Sequence, residues 1–159
     1  MTAGLDRFVE AQDEGSQFDT ALDEMRAGRK RGHWIWYVFP QIAGLGMSNM
    51  SRTYAIRDRE EAEAYARHPV LLSRLSTIAS VVADQLKKGV AIDTLMGSPI
   101  DAAKLVSSMT LFSEVAARMP AADRNHQIAR LESSATTILE TAASQGYPRC
   151  AHTLAMLRD

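Results

Sequence analysis

Apolar positions recur three and four residues apart along almost the whole chain, which is the spacing of one helical face. Leu5, Phe8 and Val9 with Gln12 open the pattern, and Phe18, Leu22 and Met25 continue it after Gly15-Ser16. Ser16 with Asp19 predicts a capping box, with Asp in place of the usual Glu, and Gly28 fits a helix C-terminus. Residues 1 to 30 therefore read as a helical hairpin. Two short helices follow, one starting at Ser48 or Ser51 and carrying Tyr54 and Ile56, the other capped by Asp58.

His68-Pro69 opens a long helix with Leu71, Leu72, Leu75, Ile78, Ala79, Val82 and Leu86 inward, closed by Lys87-Lys88-Gly89. Ile92, Leu95 and Met96 make a turn ended by Gly97. Ser98-Pro99-Ile100-Asp101 supplies an N-cap, a proline at N1 and an acid at N3. Leu105, Met109, Phe112 and Val115 extend that helix to Met119-Pro120. Ile128 to Ala142 keep the same period, and Leu154 with Leu157 marks a last turn.

Residues 33 to 39 are ambiguous: their aromatic and β-branched content suits a strand. With no second stretch of strand periodicity to pair with, a short buried helix ending before Pro40 is the better reading. The expected fold is all-α, a single globular domain over 1–159. It is a non-repeat orthogonal bundle of about eight helices by this periodicity.

At 159 residues the chain suits one domain with a core that needs no staples. Its formal charge of −1 supplies no global field toward nucleic acid or an anionic membrane, so neither is an expected partner. Met1 to Gln12 lacks the basic and apolar blocks of a signal peptide, and no apolar run approaches the ~20 residues of a membrane span. The single cysteine, Cys150, cannot form an internal disulfide and suits no zinc motif. A cytoplasmic setting is expected, with no cofactor and no metal. Assembly into a homo-oligomer is compatible with the pattern.

Chemistry concentrates between Arg29 and Gln41. Arg29, Lys30 and Arg31 are followed by His33, Trp34, Trp36, Tyr37 and Phe39, and the stretch holds both tryptophans of the chain. The basic groups suit an anion, and Trp34 or Trp36 suits a flat ring. The same residues also suit a charged turn leading into core aromatics. His33 is the proton-handling candidate. Gln41 would position a ligand through its amide, and Gly44-Leu45-Gly46 reads as a turn rather than a dinucleotide loop. Ser107, Ser108 and Thr110 are three hydroxyls in four positions, with Ser107 and Thr110 on neighbouring faces and Lys104 one helical turn before Ser107. They would bind an anion or bond back to helix carbonyls. Asp101 and Glu10 are the acids on offer. The charged run from Arg57 to Arg67 reads as a solvated helix face.

The chain resembles a bacterial family without assigned function, number 1810 among the domains of unknown function. The resemblance rests on Phe8 to Gln12, Gly28-Arg29-Lys30, His33-Trp34-Ile35-Trp36, Phe39-Pro40-Gln41 and Gly44-Leu45-Gly46. It continues through Tyr54, Tyr65, His68-Pro69, Asp101, Lys104 and Ser107 to Phe112. Members are often labelled calpastatin-like. Calpastatin proper is a disordered inhibitor, whereas this chain has the periodicity of a folded domain. A fainter similarity is to the NADAR superfamily, which implies nucleotide-like substrates and N-glycosidic bond cleavage.

Together these features suggest a binder of a small anionic, nucleotide-like metabolite, of the ADP-ribose or sugar-phosphate type. If it is an enzyme, it would be a hydrolase acting on an N-glycosidic bond. Arg29, Lys30 and Lys104 would hold the charge, Trp34 or Trp36 the ring, and Gln41, Ser107 and Ser108 the polar groups. The rival is a non-enzymatic interaction module whose basic turn docks an acidic partner.

Overall fold

The long apolar stripes above become helices in the computed structural model, which describes residues 3–158, whereas Tyr54 and Ile56, expected on a short helix, fall beyond the one that ends at Thr53. Met1, Thr2 and Asp159, the ends of the expected domain, lie outside the described residues. The helices are α1 (Ala3–Asp13), α2 (Gln17–Ala27), α3 (Ile35–Val38), α4 (Asn49–Thr53) and α5 (Arg59–Arg67). They continue with α6 (Pro69–Lys87), α7 (Ile92–Met96), α8 (Pro99–Ala117), α9 (His126–Ser144) and α10 (Ala151–Met156). Among the described residues there are ten α-helical segments where about eight helices were expected, because α3, α4 and α7 are single turns of four or five residues. Among the described residues there is no strand, only an isolated parallel bridge between Ile42 and Ile56. The fold is all-α.

Local chemistry sets most of the boundaries. Ser98 Oγ accepts from Asp101 N at 3.1 Å, Asn125 Oδ1 from Ile128 N at 2.9 Å and Asp58 Oδ1 from Glu61 N at 2.9 Å. The imidazole of His68 caps α6 in the same way, accepting from Leu71 N at 3.3 Å. Each such cap stabilises its helix by about 1 kcal/mol. The expected capping box at Ser16 does not form. Ser16 makes no side-chain cap bond and sits in the left-handed region, φ 54°, beside Gly15 at φ 60°. The reversal between α1 and α2 is made by this pair of left-handed residues.

The core lies where α6 and α8 pack on α9, with α2 crossing α6 and α5 lying on α8. Phe8, Tyr65 and Phe112 form its aromatic centre, with ring centroids 5.3 Å and 5.1 Å apart in sequence along that row. All three are fully buried. Burial of each such side chain contributes about 2–3 kcal/mol. α8 is enclosed on nearly all sides, so its hydroxyls at Ser107, Ser108 and Thr110 are buried with it.

One acid expected on a solvated face is also core. Glu61 is 5% exposed and is gripped by Arg7 Nη2 at 2.9 Å and Arg57 Nη2 at 3.0 Å. Arg7 also donates to the carbonyls of Thr53 and Ala55 at 2.9 and 2.7 Å, fastening the end of α4 to α1. Burial alone would raise the Glu61 carboxyl. The Arg7 and Arg57 contacts outweigh it and hold the group below the usual carboxylate range. No helix among the described residues is long and apolar enough to cross a membrane.

Candidate functional site

The basic turn after α2 is held by an acid on α2 itself. Glu24 Oε1 accepts from Arg31 N at 2.8 Å and from Gly32 N and Trp34 Nε1, both at 2.9 Å. Burial would raise this carboxyl, but the three donors and the nearby charge of Lys30 bring it below its ordinary value. Gly32 must be small here: a Cβ would stand 2.9 Å from the Trp34 ring. Trp34 is fully buried and its only donor is spent on Glu24.

Lys30 turns inward. Its side chain is 5% exposed, with Nζ 2.8 Å from Asp101 Oδ2, a further bond to the Gly32 carbonyl, and the Trp34 ring centroid at 5.1 Å. The backbone follows, since Lys30 N donates to Leu95 O at 2.7 Å. Gly97 makes this approach possible. It has φ 84°, and a Cβ there would press to 3.0 Å from Lys30 O.

Asp101 stands in the first turn of α8, where Ser98 and Pro99 start the helix. Its second oxygen is 3.5 Å from Lys104 Nζ, and Lys104 in turn lies 5.3 Å from the centroid of the Trp36 ring. The result is a row: Trp34, Lys30, Asp101, Lys104, Trp36. Two ammonium groups share one carboxylate, so the row carries a formal charge of about +1, reinforced by the helix N-terminus. Lys104 is the loosely held cation, because 3.5 Å is beyond a good charge-assisted hydrogen bond.

Lys104 opens onto a cleft. Ile35, Trp36 and Phe39 of the α3 segment line one part of it, and Gln41, Ser51 and Tyr54 another. Its volume is about 210 Å³ counting the mouth, with room for about one water. One polar group of the lining residues is buried without a protein partner, the Trp36 Nε1 N–H, and Gln41 lies in the same lining, 9% exposed. A buried donor or acceptor left unpaired costs about 1–3 kcal/mol.

Of the residues singled out in the sequence, the structure brings Trp36, Gln41 and Lys104 together and ties Lys30 to them through Asp101. The others lie outside this cleft. Arg29 and His33 are exposed and do not line the cleft, because the turn that carries them is pulled onto Glu24. Lys30 is buried, paired with Asp101 and does not line the cleft. Trp34 is sealed in the core. Ser107 bonds back to Ala103 O at 3.1 Å, and Ser108 is buried with an unpartnered hydroxyl elsewhere in α8. Glu10 is exposed on α1. Glu24, Ser51 and Tyr54 were not foreseen. Their roles depend on how the turn after α2 and the start of α4 fold back, although the Ser48–Ser51 cap had marked the start of α4.

Fold and cleft define the class: an all-α protein with a small aromatic cleft edged by a lysine–aspartate–lysine row. The model of a family described as protein of unknown function, DUF1810, matches residues 2–144, and the chain belongs to that family. It is similar to the conserved hypothetical protein Rv1873 from Mycobacterium tuberculosis, known from a crystal structure at 1.38 Å. The two share 36% identity with a TM-score of 0.71, over 96% of this chain and 95% of that one. No curated protein matches the chain. A similarity to the NADAR superfamily is not shown by these comparisons.

Proposed function

We propose that the protein binds a small anionic, nucleotide-like metabolite in the cleft of Trp36, Gln41 and Lys104. The supporting observation is the Trp36 indole, whose buried N–H has no protein partner and whose ring lies 5.3 Å from the Lys104 ammonium at the cleft. A ligand phosphate or carboxylate would meet Lys104, which exchanges a weak 3.5 Å contact for a direct one. The flat or sugar part would lie against Trp36, and Gln41 would read a hydroxyl or amide. Lys30 and Asp101 position Lys104 rather than touch the ligand. No carboxylate or imidazole lines the cleft, so binding, and not N-glycosidic hydrolysis, is the activity this geometry supports.

The test is a thermal-shift screen against nucleotides, ADP-ribose and sugar phosphates. A ligand at 100 times its Kd adds about 2.7 kcal/mol of stability. Lys104→Ala should erase the shift, whereas Arg29→Ala should leave it unchanged. No shift with any of these compounds would refute the reading.

A second reading is favoured by the exposed Arg29, Arg31 and His33 on a turn made rigid by Glu24. A fixed basic edge suits docking of an acidic protein segment. Charge reversal at Arg29 and Arg31 would abolish such docking and leave Lys104-dependent ligand binding intact.

A further inference from the structure

Apart from its open mouth the cleft has room for about one water, far less than most ligand sites offer, so a nucleotide does not fit within it. A second hollow of about 670 Å³, also counting its mouth, lies next to it. Tyr54 lines both. So does the short helix α4, which gives Ser51 to the cleft and Met50 to the hollow. Tyr54 is only half-buried, packs against Tyr37 at 5.2 Å and Phe8 at 6.0 Å, and still lines the hollow.

The hollow's chemistry complements that of the cleft. Where the cleft offers a cation, the hollow offers acceptors. Glu14 is exposed at its rim and makes no ion pair among the described residues. Gln17 Oε1 accepts from Tyr37 Oη at 3.1 Å and has a second lone pair free. Burial, then the nearby Tyr54 and Glu14, raise the Tyr37 hydroxyl above its ordinary value, so it stays a donor.

We propose that cleft and hollow are two halves of one site for a purine nucleoside monophosphate carrying an exocyclic amine. Phosphate binds at Lys104, and the base lies across Tyr54 in the hollow with its amino group donated to Glu14 or Gln17. This rests on the reading of the Lys104 cleft as an anion site, and it adds the base subsite and the class of ligand.

Calorimetric titration with inorganic phosphate, adenosine monophosphate and inosine monophosphate separates the two claims. Inosine monophosphate carries a carbonyl where adenosine monophosphate carries the amine. The proposal expects adenosine monophosphate to bind at least tenfold more tightly than phosphate and about tenfold more tightly than inosine monophosphate. Glu14→Gln, at an exposed site where folding is not at stake, should close the gap between the two nucleotides by offering the carbonyl a donor. Lys104→Ala should weaken phosphate and both nucleotides alike. If the two nucleotides bind the wild type equally, while Lys104→Ala still weakens both, the base subsite is overturned and the cleft reading stands. If none of the three binds, both fall.

Discussion

Lys30 Nζ lies 2.8 Å from Asp101 Oδ2, which fastens the turn after α2 to the first turn of α8. The two partners are not equivalent. Lys30 is nearly sealed, with a side chain 5% exposed, while Asp101 is 18% exposed and has Lys104 as a second cation. Asp101→Asn strands a buried ammonium and should cost roughly 3 kcal/mol, the low end for breaking a buried pair from one side. Lys30→Met keeps the shape, removes the buried charge, and leaves Asp101 to Lys104. It should cost less than about 1 kcal/mol by the same reasoning. Urea denaturation of both variants checks the asymmetry, and equal losses would contradict it.

Glu24 holds three donors with one oxygen. Glu24→Ala should destabilise by roughly 3 kcal/mol, and Glu24→Gln, which keeps an acceptor, by about 1 kcal/mol. Trp34 fluorescence should report the loosened turn in the alanine variant. A neutral Glu24→Ala would show that the turn is fixed by something else.

Acid sensitivity follows from two carboxyls. Burial would raise both Glu24 and Glu61, but their hydrogen-bond and cation partners bring them below the ordinary value of 4.5. A group depressed on folding contributes stability above its unfolded-state value and loses it as pH falls through the folded value. Stability should therefore decline from about pH 4.5 downward. Glu24→Gln and Glu61→Gln should each flatten that decline while lowering stability at neutral pH. A denaturation series from pH 7 to pH 3 measures this, and an unchanged slope in both variants would mean the partners are not in place.

Gly97 combines φ 84° with a carbonyl only 3.0 Å from where its Cβ would be. Backbone of that kind costs a side chain roughly 1–2 kcal/mol before any clash. Gly97→Ala should lower the melting temperature and, by moving Lys30 off Asp101, weaken Lys104-dependent binding as well. Loss of stability with binding unchanged would separate the turn from the site.

Much of the helical order was legible because its signals are local. Ser98-Pro99 and His68-Pro69 start helices wherever the chain packs, and Gly28 and Gly97 end them. The turn at Ser16 was misread because Gly15-Ser16 could reverse the chain without a cap. The site was only half legible. Trp34 and Trp36 look alike in sequence, and which is sealed depends on Glu24 reaching across from α2. The burial of Glu61 depends likewise on Arg7, from α1. Lys30 and Lys104 look like equal cations until Asp101 is seen to claim one and leave the other loose. Such differences arise from the crossing of helices, which periodicity does not specify.

The two indole N–H groups give the most direct test of the cleft. In a ¹H–¹⁵N spectrum they appear as separate signals, one bound to Glu24 and one without a protein partner. Titration with adenosine monophosphate should move the Trp36 indole signal and the Gln41 side-chain amide pair while the Trp34 signal stays fixed. If the Trp36 and Gln41 signals stay still at saturating nucleotide, or if Trp34 alone responds, the cleft is not the binding site.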